Sequence, residues 1–341
     1  MNRAVKKILV VFYISLTVGL IFAVVGGFMI DKAEVNMGQI YDILGENLQF
    51  GEKKVVFEQE ELPEAMENES FTTDKTVTYP LNEFHTMELF AESCSVEFKP
   101  TDSDDMKISL DYPKKLVNKI FLRTAVKNGS LYVITSWTDE SAIGNDVRLT
   151  VEIPENYKGG YSINGSGTMI NLCDIDSSMD IAFNILSSTV NAKSLDAGEF
   201  TVELGSSTFN AERIVSRGSI EVLADSSTMN INNLNSSYTK LTASSSTVNL
   251  KNISGGITTD TQTSTLNCEF KSVSGNVSVT AETGSINIKI PHDSPVSLRH
   301  EESYSSFRDN IKWTDKNSKN KNSRYIIDTN VKFSIVTLDE K

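Results

Sequence analysis

From residue 165 to residue 290, apolar and polar positions alternate with a period of two, and the alternation itself recurs. Phe200, Val202 and Leu204 are separated by Thr201 and Glu203, which predicts a strand with one face on a core. Gly205-Ser206-Ser207 follows as a corner of small residues. A second inward set comes next, Phe209, Ala211 and Ile214, with Thr208 and Asn210 pointing outward. Ser216-Arg217-Gly218 then turns the chain into Ile220, Val222 and Ala224, the next first strand. The unit is strand, corner, strand, turn. A helix is disfavoured because the apolar spacing is two and the segment is rich in Ser, Thr, Asn and β-branched residues.

The corner phrase repeats almost unchanged. It reads Ser187-Ser188-Thr189-Val190-Asn191, then Ser206-Ser207-Thr208-Phe209-Asn210, Ser226-Ser227-Thr228-Met229-Asn230 and Ser245-Ser246-Thr247-Val248-Asn249. Looser copies hold Asn171, Asn267 and Asn287. The Asn spacings are 20, 19, 20, 19, 18 and 20 residues. A period this constant marks one unit stacked on itself. The expected fold is all-β, a parallel β-helix or β-solenoid of about seven coils of 18–20 residues. With ~4.8 Å between stacked strands, such a rod is roughly 30 Å long.

Details follow from the repeat. Gly198, Gly218, Gly255 and Gly275 are expected at turns. The column Ser187, Ser206, Ser226 and Ser245 is expected on the inner side of the corner, where small side chains permit a bend. The coil containing Ile257, Thr259 and Thr261 has a polar inner set and should be the softest. Thr189, Thr208, Thr228 and Thr247 should form one outward column, with Asn191, Asn210, Asn230 and Asn249 forming the next.

The rest of the chain divides by composition. Residues 1–7 are a basic stub, and Ile8 to Ile30 carry no charge over 23 residues. About 20 apolar residues cross a bilayer as a helix. Arg3, Lys6 and Lys7 precede the run, so the C-terminal bulk is expected outside the cytoplasm. A signal peptide cleaved near Val25-Gly26-Gly27 is the rival, but the apolar run continues through Phe28-Met29-Ile30 and favours an uncleaved, single-pass anchor. Residues 31–74 hold 12 Asp/Glu against 3 Lys, a net of −9, and are expected to be an acidic tether with a short helix at 40–44. Residues 75–164 are β-rich but irregular and should form an N-terminal cap with the first coils. Residues 291–341 should be a C-terminal cap.

The formal net charge is −13, which argues against a nucleic-acid surface. Cys94, Cys173 and Cys268 match neither a zinc-site spacing nor a disulfide framework. Cys268 falls in the inward slot used by Ala192 and Ala211.

The segment Val147-Arg148-Leu149-Thr150-Val151-Glu152-Ile153-Pro154 runs into Tyr161-Ser162-Ile163-Asn164-Gly165-Ser166-Gly167 and then into the strand–corner–strand coils. Together with a basic N-terminus, one anchor helix and an acidic spacer, this resembles the bacterial "putative adhesin" family of domains of unknown function, including LiaG-like membrane-anchored β-solenoid proteins of Gram-positive envelope-stress operons. The resemblance covers residues 75–290. It implies a β-solenoid, an extracytoplasmic location and a surface role, and it brings no catalytic residues. The family repeats Ser-Gly-Asp at the corner where this chain has Ser-Ser-Thr, so no corner ligand site carries over.

Catalytic chemistry has little to stand on. His85, His292 and His300 share no ligand spacing with one another or with Cys. No Gly-x-Ser-x-Gly elbow leads into a helix. Asp102, Asp104 and Asp105 lack the Gly and the oxygen ligands of a calcium loop. A sugar-cleaving β-helix needs acids and bases clustered on one face, whereas Lys193, Glu212, Arg213 and Arg217 are scattered. No cofactor is expected. The distinctive surface is the Thr/Asn array, whose readings are an Asn ladder serving the fold, a platform for envelope glycan, or an ice-binding array. The expected function is a non-catalytic adhesin-like or scaffold module at the cell envelope, its partners the membrane and an envelope glycan or a surface or membrane protein. The alternatives are an envelope-stress regulator acting through a membrane partner and a carbohydrate-active β-helix enzyme.

Overall fold

The computed structural model describes residues 75–138, 146–292, 294–312 and 323–341. The anchor at 8–30, the acidic tether at 31–74 and the short helix at 40–44 lie outside the described residues. Among the described residues no helix is long and apolar enough to cross a membrane.

In chain order the strands begin with β1 (Thr76–Pro80), β2 (Thr86–Glu92), β3 (Ser95–Thr101), β4 (Asp105–Asp111), β5 (Ile120–Lys127), β6 (Ser130–Trp137), β7 (Arg148–Pro154), β8 (Gly160–Ser166) and β9 (Met169–Leu172). The repeats continue as β10 (Ile175–Asp176), β11 (Ile181–Leu186), β12 (Thr189–Ala197), β13 (Phe200–Gly205), β14 (Thr208–Ser216), β15 (Ser219–Asp225), β16 (Thr228–Ile231), β17 (Leu234–Ser244), β18 (Thr247–Gln262), β19 (Ser264–Ala281) and β20 (Gly284–Ile290). The chain closes with β21 (Val296–Ser303), β22 (Ser306–Asp309), β23 (Tyr325–Lys332) and β24 (Ser334–Glu340).

Through the repeats every pairing is parallel, between one coil and the next. One ladder runs β8–β11–β13–β15–β17–β18–β19. A second runs β9–β12–β14–β16–β18–β19–β20. A third, shorter ladder joins the ends of β12 and β14 to β10 and to the start of β17. The third side arises where two outward residues follow one another, as at Glu212 and Arg213 between buried Ala211 and Ile214. The chain bends there, so the apolar step of three seen in the sequence is a second corner.

The expected inward sets are buried, including Phe200, Val202 and Leu204 on one side and Phe209, Ala211 and Ile214 on the others. Phe183, Phe200 and Phe209 meet at centroid distances of 5.4 to 6.3 Å, spacings at which tilted aromatic rings attract. Cys268 is buried in register with Leu250.

At both ends, order in space departs from order in sequence. β2 and β3 do not start the stack: they lie between β6/β7 and β8/β9. Likewise β23 and β24 insert between β19/β20 and β21/β22. At the N-terminal end the exposed edges are covered by antiparallel strands, β4 on β7 and β5 on β6, with β1 on β4. Covering a sheet edge blocks unwanted pairing with another chain.

The coil through Ile257, Thr259 and Thr261 has the polar interior read from the sequence. All three are buried, and among the described residues the Thr259 hydroxyl has no hydrogen-bond partner. A buried hydroxyl without a partner costs about 1–3 kcal/mol. Thr259 stacks on Leu241 and Val279, so Thr259→Val should raise stability by about 1 kcal/mol, read as a higher urea midpoint with unchanged slope.

Candidate binding face

The corner positions hold their serines the other way round from the sequence expectation. Ser187, Ser206, Ser226 and Ser245 lie outside the corner, exposed, with φ of 48 to 50°. Their φ, not their small size alone, makes the turn. The inner column is the next residue: Ser188, Ser207, Ser227, Ser246 and Ser264, all buried. Each of these hydroxyls donates to the carbonyl two residues earlier, at 2.6 to 2.8 Å. Each also accepts a backbone N–H from the preceding coil, at 2.9 to 3.1 Å. The corner thus satisfies amides that a sharp bend would otherwise strand.

This corner opens the second ladder, which carries the Thr/Asn array. Thr189, Thr208, Thr228 and Thr247 stack in register, as do Asn191, Asn210, Asn230 and Asn249. All eight are half-buried. The asparagines bond to one another: Asn191 Nδ2 donates to Asn171 Oδ1, and the chain continues through Asn210, Asn230, Asn249 and Asn267 to Asn287, with six bonds of 2.7 to 3.1 Å. Each interior amide therefore spends one donor and one acceptor on its neighbours and keeps one N–H for the surface. Among the described residues none of the four threonine hydroxyls bonds to a protein group, so that column supplies free donors and acceptors.

Beyond the Asn column the next outward position is mostly charged, with Asn232 the exception in the central coils. Lys193, Glu212, Lys251, Glu269, Lys289 and Asp339 occupy it, with Glu269, Lys289 and Asp339 directly in register. Toward the C-terminal end a groove of about 510 Å³ opens over the ladder, lined by Asn230, Asn249, Asn267, Asn287, Lys251, Glu269 and Lys289. Lys341 forms an ion pair with Glu269, and its hydrogen bond holds that carboxyl below the usual carboxylate range. The face of Thr and Asn columns is thus bordered by lysines at one end.

The same end departs from the rule at the corner. Phe333 and Tyr304 occupy the outer corner position, with φ of 47° and 53°. Phe333 is 63% and Tyr304 88% exposed, and their rings lie parallel, 6° apart in plane and 5.4 Å between centroids. A left-handed backbone at a bulky residue costs about 1–3 kcal/mol. An aromatic stack returns only about 0.5–1.5 kcal/mol. Nothing in the fold explains this pair.

Among the described residues no three His, Cys, Asp or Glu side chains converge as a metal site. His300 stacks on Phe307 at 3.8 Å and bonds through Nδ1 to Thr329. The three cysteines are free thiols. Burial raises Cys94 to about 11 and Cys268 to about 12, and it raises Cys173 too, although that residue is only half-buried. Because the thiolate is the reactive form, a thiol reagent at neutral pH should modify Cys173 alone and slowly in the native protein, against three thiols after denaturation. Rapid native modification of Cys268 would contradict its place in the core.

Parallel ladders built on a fixed repeat, with side-chain columns running through them, define a solenoid-like all-β protein. The chain belongs to the Toastrack family DUF4097, which it matches over residues 84–335. The expected kinship with "putative adhesin" domains of unknown function therefore holds. No curated protein matches. Solved structures that resemble it include a putative cell adhesion protein from Clostridium sporogenes, 11% identical over 80% of this chain and 100% of that one, with a TM-score of 0.22. A putative adhesin from Bacteroides fragilis is 16% identical over 78% and 96%, with a TM-score of 0.27. A putative lipid binding protein from Parabacteroides distasonis is 13% identical over 78% and 96%, with a TM-score of 0.34. At these values none of them assigns a ligand.

Proposed function

We propose that this protein is a non-catalytic binding module of the bacterial cell envelope, held outside the membrane by residues 8–30, and that it holds glycan on its Thr/Asn face. The observation that carries the reading is the column of unpartnered threonine hydroxyls beside a continuous amide ladder. Sugars present hydroxyl donors and acceptors that match such an array. Recognition of this kind is weak at each contact and gains strength when many copies share a surface.

The threonines are the residues to test. Lysines at Asn210, Asn230 and Asn249 would break the ladder as well as block the surface, so loss of binding there would be ambiguous. Thr189, Thr208, Thr228 and Thr247 make no side-chain bond that the fold needs. Full-length protein with all four changed to Val, which removes the hydroxyls and suits a strand, should melt near the wild type yet no longer sediment with purified cell wall. Undiminished sedimentation of the folded variant would reject the face. For location, protease added to intact spheroplasts should remove the C-terminal domain, and protection of that domain would reject an extracytoplasmic position.

A further inference from the structure

The C-terminal end of the face carries two features that the repeats elsewhere lack, and they flank it from opposite sides. On one side Lys251 and Lys289 border the groove. Neither forms an ion pair with a described residue. The carboxylate between them, Glu269, is taken by Lys341, and Asp339, next to Lys289 in the ladder, accepts a 2.7 Å bond from Asn310. Arg308 ends the Asn column, in register with Thr337 and so with Asn287. Lys251, Lys289 and Arg308 thus remain once Lys341 has engaged Glu269 and Asn310 has engaged Asp339, in a chain whose net charge is −13.

On the other side stand Phe333, Tyr304 and Ile335, the last 58% exposed. From the Phe333 corner to the lysine column is six residues along the strand, roughly 20 Å. The Asn ladder and the hydroxyl of Ser285 lie between.

We propose that this end of the face is a binding site for an acidic carbohydrate: Lys251 and Lys289 take its carboxylates, the ladder amides meet its hydroxyls, and Phe333 and Tyr304 stack on the apolar face of a pyranose ring. The proposal rests on the glycan reading above and narrows it to a ligand class and a place. Each feature alone admits other ligands. A polyanion without rings satisfies the lysines only. A lipid surface satisfies the aromatic pair and Ile335 but leaves the amides and hydroxyls facing hydrocarbon, which is unfavourable. An acidic sugar polymer satisfies all three at once.

The test is titration calorimetry of the full-length protein in detergent micelles with three probes: an oligogalacturonate, a neutral oligoglucan of equal length, and polyglutamate. Oligogalacturonate should bind tightest, and its affinity should fall as salt screens the lysines. Lys251→Gln with Lys289→Gln should weaken it about tenfold at low salt and leave the melting temperature unchanged. Tyr304→Ser with Phe333→Ser should weaken it by a similar factor at high salt, where stacking remains. Polyglutamate binding as well as the oligogalacturonate, with no effect of the aromatic changes, would overturn the proposal. So would equal, salt-insensitive binding of the neutral glucan, which would leave the glycan reading standing. If no oligosaccharide binds while cell wall still retains the protein, this inference fails and the broader one survives.

Discussion

Leu250→Asp should destabilise the protein by roughly 3–5 kcal/mol, while Thr247→Asp, three residues earlier on the same strand, should cost under about 1 kcal/mol. Leu250 is 2% exposed and stacks between Ile231 and Cys268 of the adjoining coils. A carboxylate there would lose its water and find only apolar neighbours. Thr247 points outward on the same coil, where a carboxylate stays hydrated. The penalty should also depend on pH in a defined direction. Burial raises the folded-state pKa of the new Asp above its unfolded value of about 4. The unfolded chain therefore ionises first as pH rises, and the variant loses stability relative to the wild type from that pH upward. Below it both states are protonated and the gap narrows. Urea titrations of both variants at acid and neutral pH measure this. Equal midpoints for the two would show that inward and outward positions are misassigned.

Inward and outward positions were legible because a strand's side chains alternate strictly and the repeat supplies several copies of each position. Phe209, Met229, Val248 and Leu266 could be aligned by eye, and the ladder places them in one column. The Asn ladder was legible for the same reason, as one of three readings of the periodic Thr/Asn array. Four things were not. The two serines of the corner are chemically identical, and only φ separates the exposed one from the buried one. The exchange of order at each end depends on which distant strands pair, and β2 and β23 carry no local mark of it. The charged border needed the third side of the coil, because the bend at residues 212–213 and its equivalents decides which lysines face the Asn column. Phe333 and Tyr304 fell in a segment read only as a cap, outside the repeat that would have flagged them as corner residues.

Gly284→Ser is the substitution on which the repeat and the structure disagree most sharply. Position 284 stands in register with Ser264 on one side and Ser334 on the other, and the same corner slot holds Ser188, Ser207, Ser227 and Ser246 in earlier coils. Consensus reasoning would restore the missing serine and expect a gain. The structure predicts a loss of about 3 kcal/mol. Gly284 has φ of 149°, unlike any serine of the column, and a Cβ there would stand 2.1 Å from the Ser264 carbonyl oxygen. That oxygen belongs to backbone and cannot swing aside. The amide that a serine hydroxyl would serve, Ser264 N–H, is already bonded to the Thr283 carbonyl at 3.2 Å. The glycine is thus a different solution to the same corner, in which a carbonyl replaces the hydroxyl and the backbone closes in behind it. Ser227→Ala is the matched control: it keeps the corner geometry but leaves the Ser207 N–H without its acceptor, at about 1–3 kcal/mol. Urea unfolding should therefore find Gly284→Ser at least as damaging as Ser227→Ala. A Gly284→Ser protein more stable than the wild type would mean that this corner relaxes into the serine geometry of its neighbours and that the column runs unbroken to Ser334.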